Sequence, residues 1–260
     1  MSDTEFFDSP KPRAIAHRGA SGAFPENTLE AFTAAHQLGV PYIEFDIHTT
    51  RDGCVVVSHD PDLMRIAGRN AIIRELDYKE LAAIDAGYNF AADDGSYPFR
   101  GKGIKLPLLS EVLSNFADMR CVVEIKQIEP SLVKQMLEII DRAGMRRRVM
   151  ISCEFQQPLD EVRALAPGIP TNFSTLEVGN FFRAMVSKMA DYTPPARALQ
   201  IPIEYEKFVL VTPESVAAAH QVGVEVHVWT VDDEAEMRRL LALGVDGILT
   251  NFPDRLLKLL

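Results

Sequence analysis

The second half of the chain alternates apolar, strand-like runs with amphipathic helical segments, and no other sequence feature constrains the fold as strongly. Helices are predicted at 110–117, 131–143, 158–166, 177–190, 213–222, 233–242 and 254–260, and strands at 120–126, 148–152, 170–174, 198–203, 224–230 and 246–250. Strands that alternate with helices at this spacing form parallel βα units. The pattern therefore predicts an α/β protein built on a parallel sheet.

Three more apolar runs precede this region, at 13–17, 42–47 and 54–59. A (β/α)8 barrel takes about 250 residues, which agrees with a chain of 260 residues. We therefore predict a single TIM-barrel domain over 13–260. Nine strand candidates are one too many for the eight positions of such a barrel, and one of the two weakest runs, 170–174 or 198–203, is expected to lie outside it.

Two segments are expected to add to the barrel framework. Residues 1–12 are polar and contain two prolines, which predicts a flexible N-terminal arm. Residues 60–107, an insertion after the third strand, are the longest irregular stretch, with one short helix predicted at 77–85. Because a long loop of this kind is usually functional, we expect 60–107 to act as a lid or a binding element.

Charge and composition exclude several classes of protein. The formal net charge of −10 argues against nucleic acid and against a polybasic membrane-binding surface. No apolar run reaches the roughly 18 residues of a transmembrane helix, and the N-terminus lacks the features of a signal peptide. Cys54, Cys121 and Cys153 lie in apolar runs without metal-ligand spacing. These features predict a cytoplasmic protein with reduced cysteines and no stable membrane insertion, and they leave the oligomeric state open.

Acidic residues occupy strand positions where burial is costly. Glu44 and Asp46 project to the same face of strand 42–47, because strand residues two apart share a face. Two carboxylates this close repel each other unless a cation lies between them, and hard oxygen ligands suit Mg²⁺ or Ca²⁺. Glu124 lies in a β-branched run with Lys126 on the same face. It is either a third ligand or the partner of Lys126 in a simple ion pair.

His17 and His59 each follow an apolar run, so they are expected at the carboxyl ends of strands, where barrels carry their chemistry. Imidazole can accept and donate protons near neutral pH, and two histidines with a divalent ion would supply the acid and the base that phosphodiester cleavage requires. Arg18 would hold a phosphate oxygen or form an ion pair at the rim. His48 shares a face with Glu44 and Asp46, but we expect it to be structural.

Two further segments are open to more than one interpretation. PENT (25–28) is either a helix start, in which Asn27 caps the first turn and Glu30 completes a capping box, or a segment with a direct catalytic role, and we favour the helix start. Trp229 ends an apolar strand and either packs in the core or forms a wall of the substrate pocket, which we favour. The segment 54–59 would be antiparallel to 42–47 across a short turn, or parallel to it if the intervening residues descend beside the sheet.

An ordered set of motifs runs through the chain: HRG (17–19), PENT (25–28), EFD (44–46), TRDG (50–53), HD (59–60), VVEIK (122–126), VHVWTVD (226–232) and GVDGILTNFPD (244–254). In this order they resemble the glycerophosphodiester phosphodiesterase family, over about residues 13–256. The resemblance implies a TIM barrel with strand 54–59 parallel to its neighbour, so that His59 returns to the rim.

The resemblance also implies an activity in glycerol and lipid metabolism, the hydrolysis of glycerophosphodiesters to sn-glycerol 3-phosphate and an alcohol. It assigns acid–base catalysis to His17 and His59 and one divalent cation, Mg²⁺ or Ca²⁺ with Mn²⁺ as a further candidate, to three carboxylates. It implies substrate or phosphate binding by three other residues. The ligands are Glu44, Asp46 and Glu124, and the three substrate residues are Arg18, Lys126 and Trp229.

Two other functions remain open on the sequence. One is a lysophospholipase D with the same centre, for which Phe90, Tyr97 and Phe99 would supply apolar surface; the other is a non-catalytic barrel that binds phosphodiesters, which the two histidines disfavour. The chain also departs from the family pattern twice. Arg65 is followed by Ile-Ala rather than Thr-Thr, and Asn251 replaces a commoner Asp. We expect both departures, at 66–67 and at Asn251, to lie away from the chemical centre and to bear on substrate choice.

Overall fold

The computed structural model describes residues 4–189 and 191–260. Its strands are β1 (Arg13–His17), β2 (Tyr42–Thr49), β3 (Val55–Val57), β4 (Asp62–Leu63), β5 (Arg69–Ile72), β6 (Arg120–Ile125), β7 (Val149–Ser152), β8 (Ala198–Ile201), β9 (Glu204–Tyr205), β10 (Phe208–Val209), β11 (Glu225–Val228) and β12 (Gly247–Thr250). Its helices are α1 (Leu29–Gln37), α2 (Met64–Ala67), α3 (Tyr78–Leu81), α4 (Leu109–Asn115), α5 (Val133–Arg142), α6 (Gln156–Leu165), α7 (Thr175–Val186), α8 (Pro213–Gln221), α9 (Glu234–Leu243) and α10 (Pro253–Leu257). Within these described residues, no helix has the length and apolar character needed to cross a bilayer.

A curled parallel sheet forms the centre of the fold, in the order β7-β6-β2-β1-β12-β11-β8. Parallel bridges from Ile151 to Thr171 and from Asn172 to Ala198 join the two outer strands through the segment 171–172. The predicted TIM barrel is confirmed. Both weak runs, 170–174 and 198–203, contribute to the ring, so the expectation that one of them lies outside it is wrong.

The strand candidate outside the parallel ring is β3, which pairs antiparallel to β2 with Thr49 opposite Val55 and Ile47 opposite Val57. The parallel direction that the resemblance implied is therefore wrong. A short turn closes this hairpin, where the Thr50 backbone N–H donates to the Cys54 carbonyl at 2.9 Å and Gly53 has φ +80°. Such a turn leaves no chain to descend beside the sheet.

The antiparallel direction nevertheless brings His59 to the rim. Asp46 is the register partner of Glu124 near the carboxyl end of β6, and β2 continues beyond Asp46 to Thr49. The β2–β3 hairpin therefore projects past the carboxyl end of the barrel. The returning chain reaches the rim again where the Ser58 backbone N–H donates to the Asp46 carbonyl at 2.9 Å. His59 follows directly.

The segment before α1 differs from the predicted capping box. Thr28 is the N-cap, and its hydroxyl oxygen accepts from the Ala31 backbone N–H at 3.3 Å. Asn27 has a positive φ of 58°, which turns its side chain away from the helix. The helix start was correctly placed to within two residues, but the capping role given to Asn27 and Glu30 is wrong.

Thr4, Phe6 and Phe7 are buried against the barrel, so a flexible arm is wrong for this part of the segment; residues 1–3 lie outside the described part of the chain. Phe6 is completely buried and Phe7 nearly so, and both pack against Ile15 and Tyr42 in an apolar cluster inside the barrel. The buried Arg13 guanidinium donates to the Phe7 carbonyl at 2.8 Å. Two aromatic side chains in an otherwise polar segment close the amino-terminal end of the barrel.

Replacing Phe6 with Ala should lower the free energy of unfolding by about 3–5 kcal/mol, because it removes a fully buried aromatic ring and leaves a cavity. Urea denaturation measures the change. The control is Phe208→Ala, at a side chain that is 67% exposed, which should stay within about 0.5 kcal/mol. Equal effects of the two substitutions would show that the N-terminal segment is not part of the folded core.

The insertion 60–107 has more structure than the sequence indicated. The helix predicted at 77–85 is present as the shorter α3, and the insertion also contains the β4–β5 hairpin, a 3₁₀ turn at Ile73–Glu75 and the short helix α2. An apolar cluster that includes Leu63, Ile73 and Leu81 packs it against Val56 of β3. The insertion is therefore anchored beside the rim where the predicted catalytic residues lie.

Candidate active site

Three carboxylates converge at the carboxyl end of β2 and β6. Oxygen atoms of Glu44, Asp46 and Glu124 all lie within 4.8 Å of one another, and Glu44 and Asp46 are buried. Strand parity is confirmed, since Ile43 and Phe45 pack on the opposite face in the cluster that contains the helices. The structure thus brings together the three residues that the sequence predicted as metal ligands.

The electrostatics of this cluster suit a divalent cation. Burial, together with repulsion from Asp46 and Glu124, raises the pKa of Glu44 well above its usual value. Burial also raises the pKa of Glu124. The buried Oδ1 atom of Asp46 has no hydrogen-bond partner among the described residues. Three hard oxygen donors, close together and only partly neutralised, are the donor set that Mg²⁺ or Ca²⁺ prefers.

Two basic side chains flank Asp46. The Lys126 Nζ lies 2.6 Å from Glu124 Oε1 and 3.3 Å from Asp46 Oδ1. The Arg18 Nε lies 3.2 Å from Asp46 Oδ2, and the Arg18 backbone N–H donates to Glu44 Oε2 at 3.0 Å. Burial opposes the ionisation of Asp46, but Lys126 and Arg18 hold its pKa below the usual range. Both predicted phosphate-binding residues are therefore part of the acidic centre.

Asn27 belongs to the centre and was missed by the sequence interpretation. Its side-chain amide donates to Asp46 Oδ2 at 2.9 Å, and its Oδ1 accepts from the Asp46 backbone N–H at 3.4 Å. The helix-start interpretation of PENT hid this contact. The available signal was the PENT motif itself, which is one of the ordered motifs of the family resemblance. A helix cap alone would not require an asparagine beside Pro and Glu in that pattern.

His17 lies on one side of the centre, at the end of β1. Its Nδ1 lies 2.8 Å from Asn251 Oδ1, and its Nε2 lies 3.9 Å from Glu44 Oε2. Burial and the nearby Arg18 lower the pKa of His17 to about 4. The expectation that Asn251 lies away from the chemical centre is wrong, because the loop after β12 folds over β1 and places this amide against His17.

His59 follows β3, and two residues fix its position. Its Nδ1 lies 2.7 Å from Asp60 Oδ1. The His48 Nε2 donates to the His59 carbonyl at 3.0 Å, so His48 supports the loop that carries His59, as its structural assignment implied.

Arg65 connects the insertion to both sides of the centre. Its Nε donates to Asp60 Oδ2 at 2.6 Å, and its two terminal nitrogens donate to Glu26 at 2.6 and 2.7 Å. Glu26 in turn accepts from Arg18 Nη1 at 3.0 Å. One guanidinium thus ties the loop of His59 to the loop of Arg18. The departures from the family pattern were placed at Ile66 and Ala67, and Arg65 itself had no assigned role, so its contacts with Asp60 and Glu26 were missed by the sequence interpretation.

Trp229 stands at the end of β11, where its backbone N–H donates to the Ile201 carbonyl at 3.2 Å. Its side chain is 42% exposed, so the core-packing alternative is wrong. No hydrogen bond of the described residues joins the indole to the acidic centre, and its role as a wall of the substrate pocket stays a prediction.

Comparison with known proteins agrees with this geometry. The family model of the glycerophosphoryl diester phosphodiesterase family matches residues 17–255. A glycerophosphodiester phosphodiesterase from Caldanaerobacter subterraneus subsp. tengcongensis is 30% identical over 254 residues, which cover 96% of this chain and 98% of the relative. The mouse protein named lysophospholipase D GDPD1 is 27% identical, over 94% of this chain and 84% of its own length.

Among solved structures, the glycerophosphodiester phosphodiesterase from Thermotoga maritima superposes with a TM-score of 0.70 at 25% identity. The match covers 97% of this chain and 100% of that one. Because the family model matches residues 17–255, from His17 at the end of β1 through β2 and β6 with their carboxylates, the chain belongs to the glycerophosphoryl diester phosphodiesterase family.

Proposed function

We propose that this protein hydrolyses glycerophosphodiesters to sn-glycerol 3-phosphate and an alcohol, with the help of one divalent cation. The observation that carries the proposal is the cluster of three carboxylate oxygens within 4.8 Å, flanked by Arg18 and Lys126. Membership of the family supports the reaction class. Glu44, Asp46 and Glu124 would hold the cation. When bound, it would neutralise phosphate charge and lower the pKa of a hydroxyl in contact with it.

The hydrogen bonds of His17 support its role as the first base. The Asp232 carboxylate can only accept, so it fixes the Asn251 amide nitrogen towards itself, at 2.7 Å. The amide oxygen of Asn251 then faces His17 and must accept from its Nδ1–H. A neutral His17 therefore carries its proton on Nδ1 and presents an unprotonated Nε2 to the centre.

His59 has a different partner, which suits the role of the first acid. Its Nδ1 faces the Asp60 carboxylate at 2.7 Å, and a carboxylate balances the positive charge of a doubly protonated ring, whereas an amide does not. Asp60 is itself held by Arg65, which keeps the imidazole ring oriented. His17 is therefore paired with an amide and His59 with a carboxylate. This difference in partners suits one histidine to act as the base and the other as the acid.

The chain's residues then perform two steps. His17 Nε2 removes the proton from the glycerol hydroxyl next to the phosphate, that oxygen attacks phosphorus, and His59 protonates the departing alcohol. Water next opens the cyclic phosphate, with His59 as base and His17 as acid, which gives sn-glycerol 3-phosphate. Arg18 and Lys126 would hold the phosphate oxygens throughout.

An assay for sn-glycerol 3-phosphate tests the function directly. The purified protein would be given sn-glycero-3-phosphoglycerol in excess EDTA and then with Mg²⁺, Mn²⁺ or Ca²⁺ in turn. We expect release of sn-glycerol 3-phosphate only with a divalent cation. Full activity in excess EDTA would overturn the cation assignment, and no product with any cation would overturn the proposed reaction.

A lysophospholipase D activity is the second candidate, and one surface favours it. The β9–β10 hairpin follows β8, whose neighbour β11 carries Trp229 at its end, and the hairpin exposes Tyr205, Phe208 and Val209. Phe90 and Phe99, which were expected to provide apolar surface for an acyl chain, instead pack against each other with ring centroids 5.2 Å apart. If this candidate holds, Phe208→Ser should slow hydrolysis of a lysophospholipid and leave that of its deacylated counterpart unchanged.

Replacing Arg65 with Gln should lower kcat by at least about tenfold and should change KM little. The expected loss is smaller than the factor of about 10²–10⁴ that an acid–base group itself contributes. The reason is that the substitution frees Asp60 and Glu26 together. Arg51→Gln is the matched control, because Arg51 lies in the turn between β2 and β3, is similarly exposed and pairs with Asp77 and Glu80 of the insertion away from the centre. If both variants keep full kcat, Arg65 does not position the centre. Steady-state kinetics decide between these outcomes.

Substitutions of Asn251 test the tautomer assignment of His17. Asn251→Leu removes the acceptor and should lower kcat by roughly tenfold or more, since proton transfer by a positioned group contributes at least that much. Asn251→Asp keeps an acceptor for the Nδ1–H but loses the N–H that donates to Asp232 and pairs His17 with a carboxylate, so it should restore only part of the loss. Kinetics at a fixed saturating cation concentration measure both. A fully active Leu variant would contradict the assignment.

A further inference from the structure

A cavity of about 350 Å³ opens beside Lys126, between the β4–β5 hairpin and the loop after β6. Ile72 and Ile73 form an apolar part of its wall, while Asp62 and Arg74 lie on the insertion side and Glu129 on the opposite side. A cavity of this size is at the small end of ligand pockets. No residue proposed above for the acid–base pair or the cation lines it.

The cavity and the proposed centre share Lys126. Lys126 forms part of the cavity wall and contacts Asp46 and Glu124. His48, another wall residue, holds the carbonyl of His59 at 3.0 Å. If the phosphate lies against Lys126 and the leaving oxygen faces His59, the alcohol part of the substrate is directed into this cavity.

Both walls of the cavity are held in place. Asp62 is the register partner of Ile72 in the β4–β5 hairpin, so these two wall positions are fixed by strand pairing. On the other side, Gln127 donates to Thr49 Oγ1 at 2.6 Å and accepts from the Thr49 backbone N–H at 2.9 Å. This side-chain clamp ties the loop after β6 to the end of β2.

The wall carries charges of both signs that the protein does not neutralise. Across residues 4–189 and 191–260, neither Arg74 nor Glu129 has an ion-pair partner, whereas Lys126 is paired with two carboxylates. One oxygen of Asp62 accepts from the Met64 backbone N–H at 2.9 Å, and its negative charge is otherwise uncompensated. The cavity therefore offers two carboxylates and one guanidinium to a ligand.

We propose that this cavity selects substrates whose leaving alcohol is a zwitterionic hydroxy amino acid, of which serine is the simplest. The ammonium group would lie between Asp62 and Glu129, and the carboxylate would be held by the Arg74 guanidinium, which suits it in geometry and charge. A simple ammonium alcohol, such as ethanolamine or choline, would leave Arg74 facing a cation. A neutral alcohol, such as glycerol, would use none of the three charges.

This inference rests on the proposed function and specifies its substrate class. It does not depend on whether the glycerol carries an acyl chain, because a chain on the glycerol lies on the other side of the phosphate from the leaving alcohol. The same cavity would therefore receive serine from glycerophosphoserine and from lysophosphatidylserine.

The experiment measures kcat/KM for sn-glycero-3-phosphoserine, -ethanolamine, -choline and -glycerol with the wild-type protein and three variants. We expect wild type to prefer the serine diester by about tenfold or more, the factor that one charge-assisted hydrogen bond can supply. Arg74→Gln should remove this preference over ethanolamine. Glu129→Gln and Asp62→Asn should lower kcat/KM for the serine and ethanolamine diesters but not for the glycerol diester.

Arg69→Gln is the matched control, since Arg69 is an exposed arginine of the same hairpin that does not line the cavity. It should leave every ratio unchanged. Equal kcat/KM for all four diesters, or Arg74→Gln ratios equal to those of the control, would overturn the cavity assignment and leave the proposed function standing. Hydrolysis of none of the four would overturn the proposed function and, with it, this inference. Competitive inhibition by free L-serine that weakens in Arg74→Gln gives a second readout, and its absence in wild type would count against the cavity.

Discussion

Replacing Glu44 with Gln should abolish turnover and at the same time stabilise the cation-free protein. Burial and repulsion from Asp46 and Glu124 raise the pKa of Glu44, so in the absence of a cation this carboxyl group destabilises the fold. A neutral amide of the same shape removes that repulsion. We expect the free energy of unfolding in EDTA to rise by about 1–3 kcal/mol, the scale of an unsatisfied buried polar group.

When a divalent cation is added, the Gln variant should become less stable than the wild-type protein. A ligand that binds only the folded state stabilises it by RT ln(1 + [L]/Kd), and the wild-type protein should gain more than the Gln variant because it binds the cation more tightly. Urea denaturation in EDTA and in excess Mg²⁺ measures both signs. Glu30→Gln, at an exposed position of α1, is the control. A variant that is less stable than wild type in EDTA, or that gains as much from the cation, would contradict the three-carboxylate site.

A diester that lacks the hydroxyl next to the phosphorylated oxygen should bind but turn over at least about a hundredfold more slowly. The missing hydroxyl is the proposed nucleophile. Its attack is intramolecular, and an effect of this kind can account for roughly 7–11 kcal/mol of the barrier. We take the lower figure of a hundredfold because it corresponds to the minimum usually contributed by acid–base assistance alone.

The 2-deoxy analogue and the parent diester would be compared under saturating cation, with binding of the analogue measured as competitive inhibition. A detectable cyclic phosphate with the parent substrate would be a second, independent readout. Cleavage of the deoxy analogue at the normal rate would show that water attacks phosphorus directly. His17 and His59 would then serve only to carry protons for that water.

Strand periodicity is the part of the site that could be predicted with most success. Glu44 and Asp46 share a face with each other and lie opposite Ile43 and Phe45, as the alternation of an extended chain requires. The register of β2 and β6 then brings Glu124 level with Asp46. These predictions succeeded because the direction of a strand side chain is a local property of the backbone.

Hydrogen-bond partners across loops could not be predicted in this way. Asn251 contacts His17 across 234 positions, and Arg65 contacts Glu26 across 39. Asn251 was expected away from the centre and Arg65 had no assigned role, since the neighbours of both residues in sequence carry no sign of these contacts. Asn27 was placed in a helix cap because the local pattern fits a cap, and only its positive φ turns the side chain to Asp46.

The sequence by itself determined the succession of βα units, the faces of the strands and the residue types of the centre. All of these follow from interactions within a few residues, which periodicity and turn chemistry report. The short turn at 50–54 set the antiparallel direction of β3, one of the two alternatives that the sequence left open. The tertiary structure decided the packing of Phe6 inside the barrel, the contact of Asn251 with His17 and the contact of Arg65 with Glu26. Each of these depends on which loops meet at an end of the barrel. Distant segments compete for those places through burial and hydrogen bonding, so no local pattern in the chain records the outcome.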